Sequence, residues 1–183
     1  MESLLRFRKL LIAISLLTIL SFNSFGIAYY SRLNGGLWTS NNTWSTVGYA
    51  SSVNTGTYPK LGDYVMIGNG FTVYINNNVT CSGLSIGQGV SGSLLYSPVG
   101  NYTLNVAGNT RIFTGAQISY NSILNRTHQF MTNGSIASSG TIDFYVNSSA
   151  VVNTTFYGST GSSIAGTGVF DLNIVKVISN NFL

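Results

Sequence analysis

Beyond residue 60 the chain repeats one local event: a few residues in which apolar and polar side chains alternate, then a break of Gly, Asn or Ser. Tyr64-Val65-Met66-Ile67 runs into Gly68-Asn69-Gly70, and Phe71-Thr72-Val73-Tyr74-Ile75 runs into Asn76-Asn77-Asn78. Leu84-Ser85-Ile86 ends in Gly87-Gln88-Gly89, and Tyr102 to Val106, Thr141 to Val146 and Val169 to Val177 read the same way. Period-two alternation bounded by turn formers predicts short strands and no helix. The breaks also recur over a longer distance. Gly87, Gly108, Gly134 and Gly158 close similar runs at comparable spacings. A period in the low twenties predicts a solenoid, in which each coil buries its inner face only against its neighbours. The expected fold is therefore all-β, a right-handed parallel β-helix (β-solenoid) over residues 64–183. A β-sandwich or jelly roll is the competing reading, with turn signals every ~8–12 residues and no longer period. The run Asn76 to Asn78 is expected at a tight corner, since Asn tolerates left-handed backbone.

Residues 29–63 differ from the rest of the chain. They hold both tryptophans, Trp38 and Trp44, in a Ser/Thr/Asn-rich stretch that closes with Pro59. An open solenoid end exposes its core and a row of unpaired strand edges. This segment is accordingly read as an N-terminal cap, with the tryptophans covering the first coil.

Residues 1–28 read as a signal peptide. Arg6, Arg8 and Lys9 precede the apolar run Leu10 to Leu20, and Ser24-Phe25-Gly26 and Gly26-Ile27-Ala28 offer small residues for cleavage after Gly26 or Ala28. The apolar run is shorter than the ~20 residues a spanning helix needs. No membrane span is expected after cleavage, and the expected location is secreted or on the outer cell surface.

Composition fits that address. Charged residues are 7% of the chain, while hydrophobic residues reach 44%, too many for a disordered protein. Gly, Ser, Thr and Asn make up close to half of it. Behind the signal, Arg32, Lys60, Arg111, Arg126 and Lys176 face Asp63, Asp143 and Asp171, a net +2 without a cluster. Such a surface cannot neutralise several phosphates, so nucleic acid is excluded as a partner. Cys81 is the single cysteine, which rules out a disulfide framework and reads as a small buried hydrophobe.

The order of motifs resembles a group of secreted repeat proteins of Bacteroidetes. The residues that carry the likeness are Tyr29-Tyr30-Ser31-Arg32, Gly36-Leu37-Trp38, Thr43-Trp44-Ser45, Tyr58-Pro59, Gly62-Asp63-Tyr64-Val65 and Ile67-Gly68-Asn69-Gly70. Asn78-Val79-Thr80-Cys81, Leu84-Ser85-Ile86-Gly87 and the later Phe170-Asp171-Leu172-Asn173-Ile174 continue it. The pattern is also similar to the eight-glycine domain of extracellular β-proteins. The resemblance implies a parallel β-helix-like fold and a role in adhesion, surface architecture or polysaccharide contact. Members of the group are longer and end in a type IX secretion sorting domain. Downstream domains are therefore expected in a full-length protein, with the coils read as a fragment or as pairing with something else.

Little in the chain points to chemistry. Glycoside hydrolysis normally takes two carboxylates flanking one bond. Asp63 reads as a turn residue. Asp143 and Asp171 alternate outward on separate strands, on neighbouring coils if the period holds. Calcium or zinc would need ligand clusters that are not apparent, and His128 reads as a lone surface-loop histidine. No cofactor, no metal site and no catalytic residue is expected. The best ligand candidates are aromatic side chains able to stack on sugar rings: Tyr49, Trp44 and Trp38, with extracellular polysaccharide or cell-surface components as partners. The expected function is a non-enzymatic structural or adhesive β-helix module. A carbohydrate-binding module, or part of a glycan-degrading enzyme using Asp143 and Asp171, stands as the alternative.

Overall fold

The structure, a computed structural model, describes residues 26–158 and 161–179. The expected signal peptide lies outside them except for Gly26, Ile27 and Ala28. Strand β1 (Ala28–Ser31) and β2 (Gly36–Leu37) form an incomplete first coil, and a single 3-10 turn at Asn41–Thr43 leads into β3 (Trp44–Ser45). Four full coils follow. They are β4 (Tyr64–Ile67), β5 (Thr72–Ile75) and β6 (Val79–Cys81); β7 (Gly83–Ile86), β8 (Ser93–Tyr96) and β9 (Thr103–Val106); β10 (Thr110–Ile112), β11 (Gln117–Ser119) and β12 (Arg126–Thr132); and β13 (Ile136–Ser138), β14 (Thr141–Asp143) and, after the excursion β15 (Tyr145–Asn147), β16 (Ala150–Gly158). A last, thin rung is β17 (Ile164–Ala165), β18 (Val169–Asp171) and β19 (Val175–Ser179).

Each strand hydrogen-bonds in parallel to its counterpart one coil later. Three sheets result: β1-β4-β7-β10-β13-β17, β2-β5-β8-β11-β14-β18 and β6-β9-β12-β16-β19. The fold is a parallel β-helix, not a sandwich. Its register explains the sequence period. Leu84, Thr110 and Ile136 stack in one column, and Leu94, Ile118 and Ile142 in another. Both columns advance by a step in the mid-twenties for each coil. The apolar members of each alternating run form continuous inward columns, such as Val73-Leu94-Ile118-Ile142 and Val65-Leu84, all buried. Burying each such side chain is worth about 1.5–3 kcal/mol. Cys81 belongs to this core, and burial pushes its thiol up to about 12.

Two details differ from the sequence reading. Gly108 and Gly134 do stack, so closely that a Cβ on Gly134 would sit 2.4 Å from the Gly108 backbone. Gly158 instead ends β16, beside the Asn133 side chain. Gly87, however, lies at a different corner, beside Phe113 and Ala116. The asparagines at the corners also work by another route. Among described non-glycine residues only Ala50 and Asn69 adopt positive φ, so the run at 76–78 is not left-handed. Instead, side-chain oxygens accept backbone N–H groups of an adjacent rung. Asn34 takes Thr72, Asn78 takes Thr103, Asn101 takes Thr127 and Asn109 takes Ser135, at 2.8–3.0 Å. Each bond contributes about 1 kcal/mol and needs no charge.

The N-terminal end is closed. β3 runs antiparallel along β1 and covers its outer edge. Trp38 and Trp44 are completely buried, packed edge to face with centroids 5.3 Å apart, and Tyr29 meets Trp44 at 6.5 Å. The Trp44 Nε1–H donates to the Trp38 carbonyl at 2.7 Å, which disposes of the one polar atom the ring carries inward.

Candidate functional site

Of the three aromatics expected to meet a sugar, the two tryptophans have no exposed face. Their ring planes are spent closing the first coil, so neither Trp38 nor Trp44 is available for stacking. Tyr49 remains half-buried, with its ring set edge-on to Tyr30 at 5.2 Å and close over Gly68. Its hydroxyl is buried without a partner among the described residues. Burial and the neighbouring Tyr30 push the phenol up from its ordinary value.

The acidic residues are placed more tellingly. The Asp63 carboxylate accepts the backbone N–H of Lys60 at 2.8 Å and of Ile27 at 3.1 Å, so it braces the turn into β4. Asp143 and Asp171 are direct register partners on β14 and β18. Two like charges then face each other across one rung, ~4.8 Å along the stack. Partial burial, and next the Asp171 charge, raise the Asp143 carboxyl above its usual range. Like charges directly opposite cost a sheet roughly 0.2–1 kcal/mol. Asp171→Asn is accordingly expected to stabilise the chain by about 0.5 kcal/mol at neutral pH. Denaturation midpoints at neutral and strongly acidic pH check this: the gain should vanish once both carboxyls are protonated.

His128 is not a surface-loop residue. β12 begins at Arg126, two residues before it, so alternation turns His128, Phe130 and Thr132 into the core. The imidazole lies among Tyr120 at 4.5 Å, Tyr96 at 4.7 Å and Tyr102 at 5.9 Å. Its Nδ1 accepts the Tyr102 backbone N–H at 3.1 Å, which places the neutral ring's proton on Nε2. That nitrogen has no partner among the described residues. Desolvation foremost, then the Arg126 charge, lowers the imidazole from 6.5 to about 4. The alternation Arg126-Thr127-His128-Gln129-Phe130 was the sequence signal for this placement. A ring with one nitrogen engaged by backbone and an aromatic wall around it is built to pack. No group of three His, Cys, Asp or Glu side chains able to hold a metal occurs among the described residues.

At the other end, the last described rung is loosely packed. Val177 is 74% exposed and Val169 63%, and Ile164 and Val175 are also exposed. Phe156, Ile164, Val175 and Val177 line a hollow of about 450 Å³ there. Val175 and Val177 continue the inward columns through Thr154 and Phe156, and among the described residues no further coil covers them. Among the described residues no helix is long and apolar enough to cross a membrane. Comparison with family models, curated proteins and solved structures finds no match to the chain.

Proposed function

We propose that the chain is a non-enzymatic structural or adhesive β-helix module, secreted or held on the outer cell surface. The observation that carries this reading is the stack itself: three parallel ladders run from rung to rung around buried apolar columns. One end is sealed by buried tryptophans and an antiparallel strand, and among the described residues the last rung leaves its edges unpaired and its inward valines exposed. Unpaired edges beside apolar surface recruit further strands. A module with this geometry is a stiff rod that extends at its last described rung by pairing with a further β-edge, from the same chain or a neighbour. The apolar run near the N-terminus and the likeness to secreted repeat proteins support the extracellular setting.

Sedimentation velocity across a wide concentration range tests it. The purified chain should self-associate, and Val177→Lys, which puts a charge on the last described rung, should abolish association while leaving the circular dichroism unchanged. A chain that stays monomeric at every concentration, or association that survives Val177→Lys, overturns the reading.

The in-register Asp143 and Asp171 favour one second reading, a glycan-cleaving pair, because both carboxylates share one outer face. Release of reducing ends from a polysaccharide, lost on changing both to Asn, would establish it over the first.

A further inference from the structure

The outer face of the sheet β1-β4-β7-β10-β13-β17 carries a run of side chains in register along the stack: Tyr30, Met66, Ser85, Arg111, Ala137 and Ala165. Six rungs at ~4.8 Å make this strip about 24 Å long. Two shallow grooves lie on it. One, of about 410 Å³, is lined by Tyr64, Met66, Ser85 and Gln88, and the other, of about 300 Å³, by Ala137, Ser139 and Ala165. They meet at Arg111 and Phe113, which line both.

Arg111 is unlike the other described arginines. The Arg32 guanidinium donates to the carbonyls of Ser51, Asn42 and Ser52 at 2.8–3.3 Å. The Arg126 guanidinium donates to those of Pro98, Asn125 and Val99 at 2.9–3.4 Å. Both are braces for loops. Arg111 is exposed and makes no such bond within the described residues. The described acids leave it alone: Asp63 is engaged by backbone N–H groups, and Asp143 and Asp171 belong to another sheet. An unpaired planar fork of donors therefore sits where two grooves join.

The surroundings decide what would bind there. This is the middle of a sheet face, where backbone groups are already paired in the ladder, so an extended peptide gains no main-chain bonds as it would at an edge. One cation is too few for nucleic acid. A linear glycan brings its own ring faces for Tyr64, Met66 and Phe113, hydroxyls for Gln88 and Ser139, and, if it is acidic, a planar carboxylate for the guanidinium. We propose that this face binds a linear acidic polysaccharide, with Arg111 gripping one uronate carboxylate at the junction of the two grooves. The proposal is independent of the last described rung and of any self-association.

Electrophoresis of the purified chain through native gels containing alginate, dextran sulfate or neutral dextran tests it. Alginate should retard the chain, less so as salt rises, and neutral dextran should not. Arg111→Gln should weaken the alginate interaction about tenfold, the loss of one charge-assisted pair. Lys176→Gln, which removes a cation outside the grooves, should leave it unchanged. Ala137→Glu sets a carboxylate on the rung next to Arg111 and should abolish retardation without touching the arginine. No retardation by alginate, or retardation that survives both Arg111→Gln and Ala137→Glu, overturns the proposal. Retardation by dextran sulfate alone overturns the uronate assignment.

Discussion

Trp44→Ala is expected to lower stability by about 4 kcal/mol, the range for truncating a fully buried aromatic. The ring is completely buried, stands edge-on to Trp38 and Tyr29, and donates its Nε1–H to the Trp38 carbonyl. Its removal takes away packing and opens a cavity at a place where, among the described residues, no coil lies above to collapse into it. A solenoid is stabilised rung by rung through nearest neighbours. The loss should therefore show first as fraying of β1 and β2, with amide protons there exchanging before those of β7 to β12. Trp44→Phe keeps part of the packing but loses the hydrogen bond and the volume of the second ring, so it should cost roughly 2 kcal/mol. Chemical denaturation midpoints give the magnitude and hydrogen exchange gives the location. Equal loss of protection throughout, or a Trp44→Ala variant as stable as the parent, would show that the tryptophans are not what closes this end.

Acid should weaken the fold through His128. The imidazole titrates at about 4 when folded and at 6.5 when free. A lowered histidine value means that the unfolded chain takes up the proton first. Stability is thus complete above pH 6.5 and falls as pH drops through the window from 6.5 to 4. Below that window the loss levels off at about 2 kcal/mol, the full linkage value discounted for screening by nearby solvent. The structural cause is specific. A proton on Nδ1 would face the Tyr102 N–H, two donors head to head, inside a wall of tyrosines. His128→Asn keeps an oxygen near Nδ1 to accept that N–H but does not titrate. Its denaturation midpoint should be nearly the same at pH 7 and pH 4.5, whereas the parent's should drop. Asp143 works in the opposite sense: its raised value makes protonation on acidification a gain, modest because the group is partly exposed. An acid loss that persists in His128→Asn would assign it to other groups.

The fold was legible because alternation and breaks are local properties. Val65, Val73, Leu84 and Ile142 each lie in a run that reads as a strand by itself, whereas the strands of Leu94 and Ile118 that stack between Val73 and Ile142 carry no such run. What stayed hidden depends on which coil lies next door. Gly87 and Gly108 look alike in sequence, yet they turn different corners, since the chain around them does not say how many residues each corner consumes. The excursion Tyr145–Asn147, which pairs antiparallel with β16, is likewise a product of the coil it returns to. The tryptophans carried two readings in the sequence, cap and sugar platform, and their full burial against each other and Tyr29 leaves no ring face for a sugar. Arg111 was invisible as a candidate because a lone cation in a polar chain carries no motif. Only the register, which lays it between Ser85 and Ala137 while the other two arginines are tied to carbonyls, sets it apart.

The asparagine contacts between rungs bear on how such a protein ages. In a chain that persists for long, side-chain amides slowly hydrolyse to carboxylates. At Asn34, Asn78, Asn101 and Asn109 the rung contact uses only the side-chain oxygen, as acceptor of a backbone N–H. Hydrolysis leaves that oxygen in place, and a carboxylate accepts an N–H at least as well as an amide does. At Asn76, where the amide nitrogen also donates to Thr39 Oγ1, the same change would take a bond away. Most of these corners are thus stitched with the half of the side chain that chemical wear does not remove.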